Sequence, residues 1–311
     1  MKKWYVGVDG GGTKTAAAVS AADGVVAAVH RGPGCSYQAI GVEAAVERIA
    51  LEVEACLEKL GATLADCAGC CLGVPCFGES PETDSAMVAA LRARLAPAPI
   101  HVVNDVEVGW AGALACQPGV HVVAGTGSIA FAKDGAGRGA RCGGWNEFFG
   151  DEGSCYWVGR EAMSLFTKQA DGRVPRGPLY DLVREALDLS ADMQFIDRTV
   201  QELAPHRDKV AAFQRLAHQA ALAGDSSAGA LYVRAARELA LMVGALCRAL
   251  ALPENTPVTY SGGLFQTGQL ILDPFAQEIA AYGCTLQPPK GDALQGALLL
   301  ALAAGNAAFP A

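Results

Sequence analysis

The sequence has no excess of positive charge and no apolar run that could cross a bilayer. Its formal net charge is −8 at pH 7, from 32 acidic and 24 basic side chains, which disfavours nucleic acid and anionic membranes as partners. Of the two most apolar segments, residues 229–252 contain charged side chains and residues 292–304 are too short for a membrane span. A strand is expected from about residue 4, so we expect no secretory leader. A cytoplasmic protein without a membrane partner is the resulting prediction.

The sequence also lacks the cysteine spacing of a zinc site. Only one group among the 11 cysteines is clustered, at residues 67–76, which read Cys-Ala-Gly-Cys-Cys-Leu-Gly-Val-Pro-Cys. Zinc sites usually place two ligand pairs on loops with a longer spacing between them. Because Cys70 and Cys71 are adjacent and continue into Leu-Gly-Val, they are typical of a buried strand, in which a free cysteine acts as a small hydrophobe. A reducing compartment is the simpler inference.

Two common phosphate-binding motifs are absent. There is no Gly-x-x-x-x-Gly-Lys-Ser/Thr, which excludes a P-loop, and the glycine cluster at residues 9–15 does not open a helix, which excludes a dinucleotide fold. That cluster reads Asp-Gly-Gly-Gly-Thr-Lys-Thr and is followed by a predicted β-hairpin with an Asp-Gly turn. Glycines allow close approach to the backbone and positive φ values, and Asp9 can hold a metal ion or its water. The predicted phosphate ligands are Gly10, Gly11, Gly12, Thr13, Lys14 and Thr15.

A second turn of the same kind occurs about one domain later. Residues 119–133 form an apolar strand, then Gly125-Thr126-Gly127-Ser128, then a returning strand. Two such turns resemble the sugar kinase, actin and Hsp70 ATPase superfamily, in which two related domains hold the phosphates of ATP between their glycine turns. The resemblance implies that Gly125, Thr126 and Gly127 bind ATP phosphates. The alternative is that either turn is an ordinary hairpin connection.

The element order predicts an α/β fold of two ribonuclease H-like (actin-like ATPase) domains with a cleft between them. Residues 1–117 read as βββαβαβα and residues 118–311 as a second copy with a helical insertion at about 165–228. The last helix, at about 292–304, is assigned to the second domain, with packing back onto the first as an alternative. The two domains are expected to close over the substrates.

Asp105 is the predicted catalytic base. It follows an apolar strand and precedes a helix in His-Val-Val-Asn-Asp-Val-Glu, and ligands of open α/β sheets gather at the carboxyl ends of strands. A carboxylate there can accept the proton of a sugar hydroxyl that attacks the γ-phosphate. The alternative is that Asp105 only caps the helix, although Asn104 could do so alone. Glu107 is better explained as a partner of the helix dipole.

Residues 142–157 carry the most specific motif, Cys-Gly-Gly-Trp-Asn-Glu-Phe-Phe-Gly-Asp-Glu-Gly-Ser-Cys-Tyr-Trp. Together with both turns and Asn104-Asp105, it resembles the N-acetylglucosamine kinases of the BadF/BadG/BcrA/BcrD ATPase family along nearly the whole chain. The resemblance implies ATP and Mg²⁺ as cofactors, an amino sugar as substrate and a homodimer. It implies adenosine contacts from Gly262 and Gly263. The sugar contacts that it implies are Ser36, Thr126, Ser128, Gly144, Trp145 and Asp151.

The chemistry of these residues suits a sugar. A buried hydroxyl left unpaired is costly, so fixed acceptors such as Asp151 are needed. Trp145 supplies apolar surface for the ring or an acetyl methyl, with a core position as the alternative; Trp157 and Phe148 are expected in the core. The sequence departs from the family where Ser36 replaces an asparagine, since a hydroxyl cannot form the two-pronged contact of an amide.

The predicted reaction is phosphorylation of N-acetylglucosamine at its 6-hydroxyl by ATP. The departure at Ser36 leaves glucosamine as an alternative substrate. Two other functions also stay open: an ATPase activator of a 2-hydroxyacyl-CoA dehydratase, which would need cysteines for a shared iron–sulfur cluster, and a non-catalytic sugar sensor.

Overall fold

The computed structural model describes residues 3–306 of the chain. They form two compact units. Within the described residues, the first unit combines 3–118 with 288–306, and the second unit is Gly119–Gln287.

The described part of the first unit contains five strands and five helices. Its strands are β1 (Trp4–Gly10), β2 (Lys14–Ser20), β3 (Val26–Pro33), β4 (Cys67–Val74) and β5 (Ile100–Asn104). Its helices are α1 (Tyr37–Ile40), α2 (Val42–Glu58), α3 (Pro81–Arg94), α4 (Asp105–Leu114) and α11 (Ala293–Asn306), with a short 3₁₀ turn at Leu64–Asp66.

The first sheet has the strand order β3-β2-β1-β4-β5. The first three strands are antiparallel neighbours, whereas β4 and β5 run parallel to β1. The carboxyl ends of β1, β4 and β5 therefore share one edge of the sheet. Both the first phosphate turn, after β1, and Asp105, after β5, lie at that edge.

The face of α2 follows the predicted helical period. Val46, Ile49, Val53 and Leu57 are all buried, and they pack with the apolar side of β1, β2 and β4. Cys70 and Cys71 are buried on β4, as the sequence predicted. Helix α11 covers the other face, where Leu294 and Leu298 pack with alanines of β2. Helices thus cover both faces of this sheet, as parallel strands require.

The second unit repeats the sheet and adds a helical insertion. Its strands are β6 (Gly119–Ala124), β7 (Ser128–Lys133), β8 (Gly139–Gly143), β9 (Thr256–Ser261) and β10 (Cys284–Leu286). Its helices are α5 (Cys155–Ala170), α6 (Pro178–Ala186), α7 (Gln194–Arg198), α8 (Arg207–Leu222), α9 (Ser226–Leu250) and α10 (Gln269–Ala280), with a π-helical turn at Thr199–Leu203 and a 3₁₀ turn at Gly263–Thr267.

The second sheet has the order β10-β9-β6-β7-β8. Strands β6, β7 and β8 are antiparallel neighbours, and β9 and β10 run parallel to β6. This topology is that of the first sheet, so the predicted pair of ribonuclease H-like domains is confirmed. The sequence reading missed β8, which is short and glycine-rich at both ends.

Helix α11 packs in the first unit, on β1, β4 and α4. The compact units therefore differ from the ranges read from the sequence, because residues 288–306 return to the unit that contains β1. Among residues 3–306, no helix combines the length and apolar character needed to span a bilayer.

Two glycines set the distance between α4 and α11. A Cβ on Gly112 would collide with the carbonyl oxygen of Asp292, and a Cβ on Gly296 would collide with that of Val108. The backbones of the two helices touch at this crossing, so no side chain larger than hydrogen fits between them.

Gly112→Ala should therefore destabilise the protein by about 1–3 kcal/mol or more, because the helices must separate. Gly229→Ala is the matched control, since Gly229 lies within α9 and nothing is within 4 Å of its added Cβ. The control should be stabilised by up to about 1 kcal/mol through helix propensity. Thermal unfolding of both variants tests this; a Gly112→Ala protein that melts no lower than wild type contradicts the tight crossing.

Candidate active site

The first phosphate turn is a tight, backbone-bonded connection between β1 and β2. Gly10 pairs with Thr15 across the two strands. Within the turn, the Gly11 amide donates to the Lys14 carbonyl at 2.9 Å, and the Cys35 amide donates to the Gly11 carbonyl at 3.0 Å. The turn is therefore fixed from both sides by main-chain hydrogen bonds.

Close contacts require the first glycine of this turn, and backbone dihedrals require none of the three. None of Gly10, Gly11 and Gly12 has a positive φ, which corrects that part of the sequence argument. A Cβ on Gly10 would lie 2.5 Å from the Gly73 carbonyl oxygen and 2.6 Å from Cys35 Sγ. Gly12 has nothing within 4 Å of its Cβ position, so its backbone is open to a ligand.

The three polar side chains of the turn differ in exposure. Thr13 and Lys14 are exposed beside Gly12, where they can meet a phosphate group. Thr15 is fully buried as the second residue of β2. The predicted phosphate contact of Thr15 stays a prediction, and its side chain is directed away from solvent.

Asp9 is a partly buried carboxylate, one residue before the end of β1. Burial raises its pKa to about 6, the Lys14 ammonium lowers it, and the Asp292 carboxylate raises it further. In the described part of the chain, no group of three or more acidic, histidine or cysteine side chains could hold a metal ion. Mg²⁺ commonly uses one or two carboxylates together with substrate phosphates and water, so the single Asp9 carboxylate fits that ion.

Asp105 is the first residue of α4, and its neighbour Asn104 caps the helix. The Asn104 side chain accepts the Val106 amide at 3.0 Å and donates to the Phe77 carbonyl at 2.6 Å. Because Asn104 fulfils the capping role, the Asp105 carboxylate is not needed for it. In register, Asp9 lies level with Gly73 of β4, and Gly73 lies level with Val103 of β5. Asp9 and Asp105 thus occupy the same edge of one sheet.

The electrostatic setting of Asp105 matches a general base. Burial raises the pKa of its carboxyl to about 7, and the negative charges of Asp9 and Glu79 also contribute to raising this pKa. A general base works best when its pKa lies near the working pH. Strongly shifted carboxylates at strand ends are typical of functional sites.

The shifted carboxyl predicts a pH-dependent stability for Asp105→Asn. Between its unfolded pKa near 3.8 and its folded pKa of about 7, only the unfolded chain releases the proton. The stability of the wild type therefore falls as pH rises through this window, by at most about 1.4 kcal/mol per pH unit. Asparagine does not titrate, so the variant does not lose stability in this way. The melting temperature of Asp105→Asn minus that of wild type should therefore increase from pH 5 to 8.

Asp66→Asn is the control for that measurement. Hydrogen bonds from Thr63 hold the pKa of the Asp66 carboxyl below its ordinary value, so this group is ionised in both states above pH 5. Its melting difference from wild type should stay constant over the same range. A constant difference for Asp105→Asn as well would refute the buried-carboxyl assignment.

Cys35 is a neighbour of these carboxylates that the sequence reading missed. It is fully buried and directly precedes Ser36. Burial raises the pKa of its thiol, and the charges of Asp105 and Asp9 raise it further. Ser36 is the N-cap residue that precedes α1, and the hydroxyl of the following Tyr37 donates to the Cys76 carbonyl at 2.7 Å. The structure thus brings Ser36, predicted to bind sugar, to the same edge as Asp9 and Asp105.

The second phosphate turn, in the other unit, is held by the start of α5. The Gly125 amide donates to the Gly127 carbonyl at 2.9 Å, and the amide of Cys155 donates to the Gly125 carbonyl at 2.8 Å. Thr126 is exposed at the tip, whereas Ser128 is buried. The Ser128 hydroxyl donates to the Glu152 carbonyl at 2.7 Å. Thr126 is therefore the more accessible of the two hydroxyls predicted to contact sugar.

The paired glycines before Trp145 are explained by backbone geometry. Gly143 and Gly144 both have positive φ, of 78° and 70°, which favours glycine. The loop that follows them exposes its aromatic side chains. Trp145 is 75% exposed, which excludes its alternative as a core residue, and Phe148 is 85% exposed, so its predicted core position was wrong. Trp157 is buried as expected.

Asp151 is the polar centre of the second unit's site. It is 4% exposed and has a φ of 56°, which is unusual for a residue other than glycine. Its Oδ1 accepts the Ser128 amide at 3.1 Å, and its Oδ2 accepts the Arg207 guanidinium. Burial raises the pKa of the Asp151 carboxyl, against the lowering effects of the Ser128 amide and Arg207.

The Gly262-Gly263 segment packs against the second turn. Gly262 has a φ of 104°, and an added Cβ would collide with the backbone of Ala124 and Gly125. Gly263 has only an ordinary contact, with Cys155 Sγ at 3.6 Å. Of the two glycines predicted to contact adenosine, only Gly262 is therefore required by the fold.

His121 joins the strands that precede these two segments. Its Nδ1 lies 3.0 Å from Thr259 Oγ1, and its Nε2 lies 2.9 Å from Ser261 Oγ. Burial lowers its pKa to about 4, so the ring is neutral at pH 7. No local motif marks His121 or Arg207, because their partners lie far away in the sequence.

The chain has the fold of two-unit actin-like ATPases and sugar kinases. The structure of a ROK family glucokinase from Streptomyces griseus, solved with glucose and AMPPNP, matches 96% of this chain at a TM-score of 0.56. At 16% sequence identity, this similarity shows the fold alone. A model of the BadF/BadG/BcrA/BcrD ATPase family matches residues 6–301. The chain belongs to that family.

Relatives with a higher sequence identity than this glucokinase are named as kinases of N-acetylglucosamine. The chain is 31% identical to the N-acetylmuramic acid/N-acetylglucosamine kinase of Clostridium acetobutylicum, covering 88% of this chain and 89% of the relative. It is 27% identical to the N-acetyl-D-glucosamine kinase of Dictyostelium discoideum, covering 97% and 98%. A solved structure of a candidate N-acetylglucosamine kinase from Chromobacterium violaceum matches at a TM-score of 0.73 and 27% identity, covering 96% and 99%.

Proposed function

We propose that this protein is an ATP-dependent hexosamine kinase that phosphorylates N-acetylglucosamine at its 6-hydroxyl. The observation that carries the proposal is Asp105, a desolvated carboxylate on the same sheet edge as Asp9 and the open backbone of the first turn. The names of the relatives support the sugar class. The exposed Trp145 and the acceptor Asp151 provide the apolar and polar contacts that a sugar needs.

The chemical step needs one proton acceptor and a set of phosphate ligands. Asp105 accepts the proton of the attacking hydroxyl while the sugar oxygen bonds to the γ-phosphorus. The bond from that phosphorus to the β-phosphate oxygen breaks, and ADP leaves. Lys14, Thr13 and the amide of Gly12, all exposed, are the proposed donors to the phosphate oxygens, whose negative charge they would stabilise.

Asp9 is the residue that would hold Mg²⁺, directly or through water. When bound together with ATP, the ion supplies charge neutralisation of the phosphates. Burial raises the pKa of Asp9, whereas Lys14 lowers it. The positive charge of a bound ion would likewise favour the ionised carboxylate.

Sugar recognition rests on the second unit and on Ser36. Asp151 has two oxygens, each with one acceptor site left after the Ser128 and Arg207 contacts, so it can accept from two hydroxyls. The backbone at Gly144 lies close to Asp151 through Ser128, because the Gly144 amide donates to the Ser128 carbonyl at 2.8 Å and the Ser128 amide donates to Asp151.

A coupled assay of ADP release tests the proposed substrate class. The panel contains N-acetylglucosamine, glucosamine, N-acetylmannosamine, N-acetylmuramic acid and glucose, each with Mg²⁺ and ATP. N-acetylglucosamine should give the highest kcat/KM, and the product should carry phosphate on the 6-oxygen by NMR. No sugar-dependent ADP release with any hexosamine would overturn the proposal.

Asp105→Asn should lower kcat by a factor of about 10² to 10⁴, since a general base typically contributes that much. The KM values for ATP and sugar should change little, because asparagine keeps the shape of the side chain. Glu107→Gln, which removes a carboxylate from the same helical turn, should keep nearly normal kcat. An active Asp105→Asn enzyme would end the base assignment.

A further inference from the structure

Arg207 connects the helical insertion to the site of the second unit. It is the first residue of α8, which follows β8 by more than sixty residues of chain. Its Nη2 donates to Asp151 Oδ2, and its Nε lies 3.3 Å from Glu147 Oε2. Both carboxylates belong to the loop that carries Trp145. A single guanidinium thus contacts two carboxylates of this loop.

The same guanidinium lies directly against the second phosphate turn. A Cβ on Gly127 would lie 2.6 Å from Arg207 Nη2 and 2.8 Å from Asp151 Oδ2. Glycine at position 127 therefore leaves the space in which the ion pair touches the turn. The Arg207–Asp151 pair packs on the backbone expected to meet both ATP and sugar.

Asp151 depends on this partner for its charge and its direction. The carboxylate is almost fully buried, while the Arg207 side chain is about two-fifths exposed. Burial raises the pKa of Asp151 and the Glu147 charge also raises it, while the Ser128 amide and the Arg207 guanidinium lower it. Of the two charged side chains that act on Asp151, Arg207 is the cation. Without it, Asp151 would more readily hold a proton and would lose acceptor sites.

We propose that Arg207 is a positioning residue for sugar recognition: it fixes the Asp151 carboxylate against the second phosphate turn and keeps its free acceptor sites for the sugar hydroxyls. The inference rests on the proposed hexosamine kinase function and adds a residue to it. It gives the helical insertion a role in substrate selection, because α8 supplies the cation. Lysine can supply the charge but not the planar fork that reaches Asp151 and Glu147 together.

Arg207→Gln and Arg207→Lys test the inference in steady-state kinetics. Arg207→Gln should raise the KM for the sugar by about 10- to 100-fold, the range expected for a lost hydrogen bond to a charged group. The KM for ATP should change by less than about threefold, and kcat by much less than the sugar KM. Arg207→Lys should recover part of the loss, since it retains the positive charge.

The pH profile separates positioning from a purely structural role. The sugar KM of Arg207→Gln should fall more steeply with rising pH than that of the wild type, because loss of the guanidinium raises the pKa of Asp151 further and a protonated Asp151 has fewer acceptor sites. Arg215→Gln, an exposed arginine on the same helix, is the matched control and should resemble wild type in both KM values. Thermal unfolding of each variant checks that it is folded.

The outcomes distinguish this inference from the proposed function. A wild type without activity on any hexosamine overturns the proposed function and this inference with it. An active wild type with an unchanged sugar KM in Arg207→Gln overturns the inference alone. A lower kcat together with equal increases in the KM for ATP and the KM for the sugar, with no change in the pH profile, would show a structural role for Arg207. That result would also overturn the inference.

Discussion

The removal of carboxylates from water is the constraint around which both units of this protein are organised. Burial is the largest cause of the raised pKa at Asp9, at Asp105 and at Asp151. A buried carboxylate costs free energy unless a cation or hydrogen-bond donors compensate for the lost water. Lys14 acts on Asp9, and Arg207 acts on Asp151, whereas Asp105 has the charge of Asp9 against it. Asp105 is therefore the group best suited to take up a proton.

Close packing of the backbone keeps these groups in place. Gly10 permits contact with Gly73 and Cys35, Gly127 makes room for the Arg207–Asp151 pair, and Gly262 lies against the second turn. In each case the hydrogen atom of glycine occupies a space that a methyl group would not fit. The repeated sheet topology places these contacts at corresponding strand ends in the two units. Small residues at strand ends thus make room for charged groups that need partners.

Several features that a local reading missed have physical reasons. Strand β8 is only five residues long and begins and ends with glycine, so neither length nor propensity marks it. The three glycines of the first turn were expected to allow positive φ, but none has it, and close packing requires only Gly10. Phe148 has the residue type of a core position, yet the loop after Gly143-Gly144 carries it outward. Apolar character alone does not distinguish a core aromatic from one on an exposed loop.

The sequence by itself determined the class of fold, because strand and helix periods and the two glycine turns are local signals. It also indicated that Asn104 can cap α4, since capping depends on neighbouring residues. The return of α11 to the first unit, the His121 bridge between β6 and β9, and the Arg207–Asp151 pair were decided by the tertiary structure alone. Their partners lie tens to hundreds of residues apart, and only the folded backbone brings such groups to within hydrogen-bonding distance.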